Sequence, residues 1–223
     1  VTDVNRESVK VQVRSKTEEI PANEVESIKW SGEPAKLNVT RADHARGFYE
    51  KALKDYEEAK DDIKSPVPGL KADLDFGIAA CKAELALRGD GDVDAAIAGL
   101  EQFRQEHPRS YHYYEAVELL ARLNARKQDW DRARSLYGEL GKSSIREYQM
   151  AQKIGEANIL LNSPTGDPAA ALAIYGEVAE MPASSPVEKA RVQAARTGTV
   201  TGLIREKKFA EALEILDGII SDP

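Results

Sequence analysis

The chain has 223 residues, of which 31% are charged and 6% aromatic, and its formal net charge is −7. This acidic balance excludes the basic footprint typical of nucleic-acid-binding proteins, and no apolar run approaches the roughly 20 residues of a membrane span. The single cysteine, Cys81, excludes an internal disulfide framework.

Residues 1–33 have the pattern of a small antiparallel β element. Three valines alternate with polar residues over 9–13, which is the period of a strand with one solvated face. The predicted elements are strands at 1–4, 9–13 and 27–30 and a turn at 5–7. Three short strands bury too little surface to be stable alone. Either further strands precede Val1 in a longer protein, or the sheet packs on the first helices through Ile28 and Trp30.

From residue 34 onward, an alanine recurs in one fixed frame. An apolar residue stands three positions before it, and apolar or small residues stand four and seven positions after it. The frames are Tyr49-Ala52-Tyr56-Ala59, Val93-Ala96-Leu100-Phe103, Trp130-Ala133-Tyr137-Leu140, Pro168-Ala171-Tyr175-Val178 and Phe209-Ala212-Leu216-Ile219. These offsets lie on one face of an α-helix, and their recurrence every 37 to 44 residues predicts stacked helical hairpins.

Each interval accommodates two helices, and the alanine belongs to the second helix of each pair. The first helices are predicted at about 35–46, 70–88, 111–126, 145–161 and 187–205. Capping residues and prolines mark the helix boundaries, namely Asp92, Asp129, Asp167-Pro168, the capping boxes Ser144–Glu147 and Ser185–Glu188, and Pro66, Pro108, Pro182 and Pro223. We therefore expect an all-α solenoid of about five helical hairpins over residues 34–223, preceded by the antiparallel β element at 1–33.

The repeated frame resembles the tetratricopeptide repeat. In that repeat the second helix follows a glycine-containing turn, has aromatic residues three before and four after the alanine, and ends at a proline. Residues 91–96 with Pro108 and residues 128–133 with Tyr137 fit best. The resemblance covers about residues 35–223, although the intervals exceed the usual period of about 34 residues. It implies a superhelix whose first helices line a concave groove that holds a segment of another protein.

By this resemblance, the groove residues would lie one turn apart on the first helices. They are Lys82, Glu118, Arg122, Arg126, Lys153, Asn158 and Arg205, with Tyr113 as an aromatic contact anchor. In the run 111–114, one or two aromatic side chains are expected to be exposed. Arg122 and Arg126 point the same way, and two guanidinium groups suit an acidic segment or a C-terminal carboxylate. The alternative for each residue is a solvated helix face of mixed charge.

No sequence motif predicts a catalytic, cofactor or metal site. Asp90, Asp92 and Asp94 have the spacing of a calcium-binding loop, but Ala95 stands where that loop needs glycine, so a capped turn is the preferred interpretation. The three histidines lack a two-His metal spacing, and Cys81 is expected to be a buried thiol. We expect a non-catalytic protein without a cofactor or a bound metal.

Partner, location and assembly can be predicted only coarsely. Residues 103–111 are similar to repeats in bacterial envelope proteins that serve outer-membrane assembly and the Tol–Pal system, which implies a periplasmic adaptor, with a cytoplasmic location as the alternative. The helix at 209–220 is apolar on one face, so self-assembly into a homo-oligomer is the alternative function. A third possibility is an enzyme whose catalytic domain lies outside this chain.

Overall fold

The computed structural model describes residues 1–221, so Pro223, expected to follow the last helix, lies outside the described residues. Within them, a three-stranded sheet precedes ten α-helices in five consecutive pairs. The helices are α1 (Lys36–Ala45), α2 (Tyr49–Asp62), α3 (Pro68–Arg88), α4 (Val93–Glu106), α5 (Tyr113–Arg126), α6 (Trp130–Leu140), α7 (Arg146–Asn162), α8 (Pro168–Ala179), α9 (Pro186–Arg205) and α10 (Phe209–Ser221). This order confirms the predicted helical-repeat fold. Odd-numbered helices are called first helices below, and even-numbered helices second helices.

The chain divides into two compact units. The N-terminal unit spans Val1–Lys127 and holds the sheet and α1 to α5, and the C-terminal unit starts at Gln128 and holds α6 to α10. Within each unit consecutive helices pack on one another, and first helices also contact first helices, as α3 with α5 and α7 with α9. The predicted boundary between residues 1–33 and 34–223 stays a prediction.

The five repeat alanines lie at the contacts between helices. Ala52, Ala96, Ala133, Ala171 and Ala212 are each at most 2% exposed. Their small side chains let neighbouring helices approach closely, which is the packing that the sequence frame predicts.

Three glycines on first helices lie directly against tyrosine rings of the preceding second helix. A Cβ atom at Gly77 would lie 2.7 Å from the Tyr56 ring, and one at Gly155 would lie 2.3 Å from the Tyr137 ring. A Cβ atom at Gly198 would lie 2.4 Å from the ring of Tyr175. These rings therefore pack directly on helix backbone, which explains why the tyrosine four residues after the repeat alanine is buried.

Four helices have a side-chain cap at the N-terminal residue that the sequence predicts. The carboxylates of Asp92, Asp129 and Asp167 accept hydrogen bonds from backbone N–H groups of the first turns of α4, α6 and α8, and Ser185 and Glu188 form a complete capping box on α9.

The capping box predicted at Ser144–Glu147 is wrong. Ile145 is the N-cap of α7 and has no side-chain capping bond. The backbone N–H of Ile145 instead bonds the Ser143 hydroxyl, and the Glu147 carboxylate accepts a 2.7 Å hydrogen bond from Arg191 of α9. The Glu147 carboxylate therefore takes part in a tertiary ion pair between α7 and α9.

The sheet consists of β1 (Asp3–Val4), β2 (Ser8–Val13) and β3 (Lys16–Pro21), antiparallel in that order. The third strand predicted at 27–30 is wrong, because β2 turns at once through Arg14, with φ of 57°, and pairs with β3. The strand β3 is polar and exposed, so its stability comes from backbone pairing rather than from an apolar face that a sequence pattern would reveal.

The sheet packs on the start of α5. The Arg6 guanidinium lies 3.6 Å from the centre of the Tyr113 ring, and the Tyr114 hydroxyl donates a 3.0 Å hydrogen bond to Glu7. Ile28 and Trp30 follow the sheet; Ile28 is buried, and Trp30 packs against the core of α1 to α3. The turn between β1 and β2 therefore contacts the helices through the start of α5.

Among residues 1–221, no helix has both the length and the apolar character required to cross a bilayer.

Candidate functional site

Lys82, the predicted groove residue of α3, does not lie on the side of α3 that faces α5. The Lys82 ammonium pairs with Glu57 of α2 at 2.8 Å, whereas Glu84 pairs with Arg122 of α5 at 2.8 Å. Residues two apart on a helix are separated by roughly 200° around its axis. Lys82 therefore faces the second helices, and the structure does not bring it together with Arg122.

Arg122 and Arg126 lie one turn apart on α5, as their spacing predicts. Arg122 is half-exposed beside Glu84, and Arg126 is exposed near the turn that follows α3. Glu118 lies one turn before Arg122 and is partly buried. These three residues therefore follow one side of α5 in the N-terminal unit.

Arg88 brings a third guanidinium group to this side of the unit. Its Nη1 donates a 3.1 Å hydrogen bond to the Gly47 carbonyl, and its guanidinium lies 4.4 Å from the centre of the Tyr49 ring. Burial raises the pKa of Tyr49, Glu84 adds to this effect, and Arg88 and Arg122 oppose it. Glu84 and Arg88 lie one turn apart on α3, so Arg88 stands next to the Arg122–Glu84 ion pair. We call Tyr49, Glu84, Arg88, Arg122 and Arg126 the Arg122 face.

An arginine at the end of a first helix recurs with a structural role. Arg88, Arg126 and Arg205 are the last residues of α3, α5 and α9. Arg88 bonds the turn after α1, Arg126 lies by Gly89 in the turn after α3, and Arg205 bonds Asn162 at the end of α7 at 2.6 Å. Each contacts the end of the preceding first helix, and each also suits the negative end of its own helix dipole.

Tyr113 is buried, contrary to its predicted role as an exposed anchor. It is 6% exposed because Arg6 covers one side of the ring and Arg104 Nη2 donates a 2.9 Å hydrogen bond to its hydroxyl. Tyr111 and Tyr114 are also buried. The expectation of an exposed tyrosine in this run is wrong, because the N-terminal sheet covers the side of α5 that a bare helix would leave in solvent.

In the C-terminal unit, the predicted groove residues contact other helices of the same unit. Lys153 pairs with Glu177 of α8 at 2.9 Å. The side chain of Asn158 accepts a 2.6 Å hydrogen bond from the Tyr175 hydroxyl, and Arg205 is held at the end of α7. These contacts join helices, and any contact to a partner would compete with them.

A buried polar network beside α3 was not predicted from the sequence. Asp73 accepts hydrogen bonds from the Trp30 indole at 2.8 Å and from the Tyr111 hydroxyl at 3.2 Å. Arg41 donates two 2.9 Å hydrogen bonds to Glu33 and lies 3.7 Å from Asp73. The network ties the segment after the sheet to α1, α3 and the start of α5. The aromatic donors Trp30 and Tyr111 were the only sequence signal, since a buried indole or phenol needs an acceptor.

Burial and ion pairing shift the carboxyl groups of this network in opposite directions. Burial raises the pKa of Asp73, although the imidazole of His112 and the hydrogen bonds of Trp30 and Tyr111 oppose that rise. Burial also acts to raise the pKa of Glu33, but the hydrogen bonds from Arg41 and the Trp30 N–H outweigh it and lower the pKa. The hydrogen bonds and ion pairs of this network hold its side chains in place, which indicates a structural role.

A cavity of about 460 Å³ lies between α2, α3 and α4, with Lys60, Asp75 and Lys82 on its walls. At its edge, ligand atoms of Asp75, Glu106 and His107 lie within 4.8 Å of one another, as metal ligands do. Asp75 already contacts Lys60 and Lys71 at 2.7 Å and His107 at 2.8 Å. Because cationic side chains already surround Asp75, this cluster has the character of an ion-pair network rather than a metal site.

Two other sequence candidates have structural roles. The Asp92 carboxylate caps α4 through the backbone N–H groups of Asp94 and Ala95, which supports the capped turn over the calcium loop. Cys81 is fully buried, and burial raises the pKa of its thiol to about 12, so the thiol stays protonated.

Comparison with known families supports the repeat assignment. Residues 74–110, which cover most of α3, all of α4 and the loop before α5, match the family model of the tetratricopeptide repeat. A search of curated proteins finds no match to the chain. The matched family commonly mediates protein–protein interaction and is generally non-catalytic.

Proposed function

We propose that the chain is a non-catalytic scaffold whose Arg122 face holds an acidic segment of another protein. The single observation that carries the proposal is that two arginines one turn apart on the first helix α5 reach solvent. Arg122 is half-exposed, and Arg126 is exposed. Helical walls of this kind are already formed before a partner arrives, so little reorganisation opposes binding.

The charges of the Arg122 face favour a carboxylate ligand. Three arginines stand against two acidic residues on this side of the unit, Glu84 and the partly buried Glu118. The Arg122–Glu84 ion pair is partly exposed, with side-chain exposures of 41% and 18%, so a partner carboxylate would compete with Glu84 for the Arg122 guanidinium. A guanidinium group binds a carboxylate through two parallel hydrogen bonds, which also orients the ligand.

A peptide library tests this proposal, because selection from a library requires no identified partner. Random peptides with free C-terminal carboxylates are selected on the full chain, and the winners are measured by fluorescence anisotropy. We expect peptides rich in Asp and Glu, and binding weakened about tenfold or more by the double substitution Arg122→Glu/Arg126→Glu. Amidation of the peptide C-terminus separates a terminal carboxylate from an internal acidic segment as the recognised group.

The double substitution Lys54→Glu/Lys64→Glu is the matched control, because it changes the net charge equally at exposed positions on and after α2. Circular dichroism must show unchanged helicity in both variants. Selected peptides that are not acidic, or that bind the Arg122/Arg126 variant as tightly as the original chain, would contradict the proposed face.

The envelope location implied by residues 103–111 is part of the same proposal. An adaptor in the periplasm would be recovered with the periplasmic fraction of the source cells. Recovery with the cytoplasm would reject this location and would leave the binding face as a separate question.

A further inference from the structure

The cavity between α2, α3 and α4 has an apolar middle. Ile78 and Ala79 of α3 and Ala98, Gly99 and Phe103 of α4 line this part, and the whole cavity has a volume of about 460 Å³. Ala98 is exposed and Gly99 is partly exposed, so the cavity opens to solvent. We call this cavity the Gly99 pocket. Its volume lies in the range of ligand-binding sites, about 300–1,000 Å³.

Gly99 leaves open a position that three other second helices fill with an aliphatic side chain. It stands three residues after the repeat alanine, where α6, α8 and α10 have Leu136, Ile174 and Ile215. Leu136 is buried, and Ile174 and Ile215 pack on apolar core clusters. A Cβ atom at Gly99 would have the Ala79 Cβ as its nearest neighbour on another helix, at 4.0 Å. The pocket therefore has room for a leucine or isoleucine side chain at this point.

A second aliphatic side chain is replaced on α3. Five residues after the glycine that lies against a tyrosine ring, α7 has Leu160 and α9 has Leu203, whereas α3 has Lys82. Leu203 belongs to an apolar cluster and Leu160 packs on another. Lys82 instead pairs with Glu57 of α2 at 2.8 Å, and both side chains are about half exposed. The hairpin of α3 and α4 thus has an open apolar pocket with an ammonium group at its wall.

The charges on the walls give the pocket a direction. Asp75 and Lys82 are seven residues apart on α3, so about 10 Å separates them along the helix axis. Asp75 already pairs with Lys60 and Lys71 at 2.7 Å. An ammonium group has three N–H donors, so Lys82 can bond a ligand carboxylate and keep its pair with Glu57. A ligand carboxylate is therefore attracted to the Lys82 end and repelled from the Asp75 end.

We propose that the Gly99 pocket binds the C-terminal leucine or isoleucine of another polypeptide, with the side chain beside Gly99 and the terminal carboxylate on Lys82. Ala79, which lies opposite Gly99, and Lys82 are one turn apart on α3, about 4.5 Å along the axis, so a single residue reaches both.

The length of the pocket favours a chain end over a free amino acid or short acid. Its wall on α4 runs from Ala95 to Glu106, eleven residues or about 16 Å, which exceeds the length of one residue. The residues before the terminal leucine would lie along this wall. Lys82 faces the second helices, so this site is separate from the Arg122 face and does not depend on it.

Short peptides titrated into the ¹⁵N-labelled full chain test the proposal by NMR. The probe is an acetylated tripeptide of two alanines and a C-terminal leucine with a free carboxylate. We expect saturable shifts of the backbone amide signals of Ala98 and Gly99. A tripeptide that ends in alanine should bind about tenfold more weakly, because it lacks the apolar group. The amidated leucine peptide should bind about threefold more weakly, because it lacks the charge that Lys82 attracts.

Substitutions locate the binding in the pocket. Gly99→Leu supplies the missing side chain and is expected to weaken binding of the leucine peptide about tenfold or more. Gly99→Ala is the matched control, because its Cβ leaves most of the pocket open, and it should keep the affinity within about twofold. Lys82→Gln should bind the free and amidated peptides equally. Circular dichroism must show unchanged helicity in all three variants.

Two results would overturn the proposal, namely no saturable shifts of these amides up to about 10 mM peptide, or undiminished binding to Gly99→Leu. If Gly99→Leu does not fold, the exposed substitution Lys82→Gln decides, because a retained preference for the free carboxylate would reject the site. The short acid 4-methylpentanoate has the same aliphatic group and carboxylate without a peptide chain. Binding of this acid as tight as that of the leucine peptide would reject the chain end as the ligand.

Discussion

At the scale of single residues, the contact between a tyrosine and a glycine on the next first helix is the most specific feature of the packing. Gly198 allows the Tyr175 ring to lie against the backbone of α9, and Tyr175 then reaches Asn158 with its hydroxyl. The absence of a Cβ atom at Gly198 thus permits both the burial of the Tyr175 ring and the hydrogen bond of its hydroxyl to Asn158. Glycine costs helix stability, so its presence here reflects the packing requirement.

We predict that Gly198→Ala lowers the free energy of unfolding by about 1–3 kcal/mol, because the new Cβ would lie 2.4 Å from the Tyr175 ring and would overpack this contact. Gly176→Ala is the matched control, because a Cβ at that position on α8 meets no atom within 4 Å. Alanine there should stabilise the helix by about 0.5–1 kcal/mol. Urea unfolding followed by circular dichroism measures both changes, and equal effects of the two substitutions would refute the role of Gly198 in the contact with Tyr175.

At the scale of helices, the arginines that end α3, α5 and α9 link each first helix to the end of the one before it. Arg205 shows the link most fully, since its guanidinium donates to both the Leu161 carbonyl and the Asn162 side chain. This role competes with partner binding for Arg205 and Arg126. It leaves Arg122, which pairs with Glu84 along α3 rather than with the end of a helix, as the better candidate for contact with a partner.

We predict that Arg205→Ala destabilises the chain by about 1 kcal/mol, because two charge-assisted hydrogen bonds at a partly exposed site are lost. Arg205→Lys should have an intermediate effect, since an ammonium keeps the charge at the helix end but cannot match the fork of the guanidinium. Thermal unfolding of both variants, with Arg196→Ala on the same helix as the control, makes the comparison. A loss of stability in Arg196→Ala as large as that in Arg205→Ala would reject the specific link.

At the scale of the whole molecule, each compact unit has an apolar core of its own. In the N-terminal unit, Leu37, Tyr56 and Leu74 belong to one core cluster of α1 to α3. In the C-terminal unit, Met150 and Tyr175 belong to a core of α7 to α9, and a smaller cluster joins α9 to α10. Each of these clusters lies within one unit, as expected of a unit that folds on its own.

We predict that residues 1–127, expressed alone, unfold cooperatively in urea. A shorter fragment, residues 1–110, should unfold less cooperatively, because it lacks α5 and with it the contacts of Tyr113 and Tyr114 to the sheet. Circular dichroism and amide hydrogen exchange of both fragments provide the test. Equal cooperativity of the two fragments would show that the sheet does not depend on α5.

The sequence by itself determined the helical repeat, its pairs and most helix boundaries. The repeat alanine and its neighbours at three, four and seven residues encode one buried helix face, and capping groups such as Asp92 and Asp167 act on the turn that contains them. These signals are local, so their interpretation does not depend on the rest of the fold. The pair Arg122 and Arg126 was found for the same reason, because their common side follows from helix geometry alone.

Only the tertiary structure decided which side of each helix meets solvent and which polar groups meet one another. Tyr113 is buried because a sheet about a hundred residues earlier in the chain covers it, and Glu147 of α7 pairs with Arg191 of α9. Lys82 faces the second helices although its place on a first helix suggested the groove. Burial and ion pairing depend on which distant segments pack together, and no local period of the sequence encodes that choice.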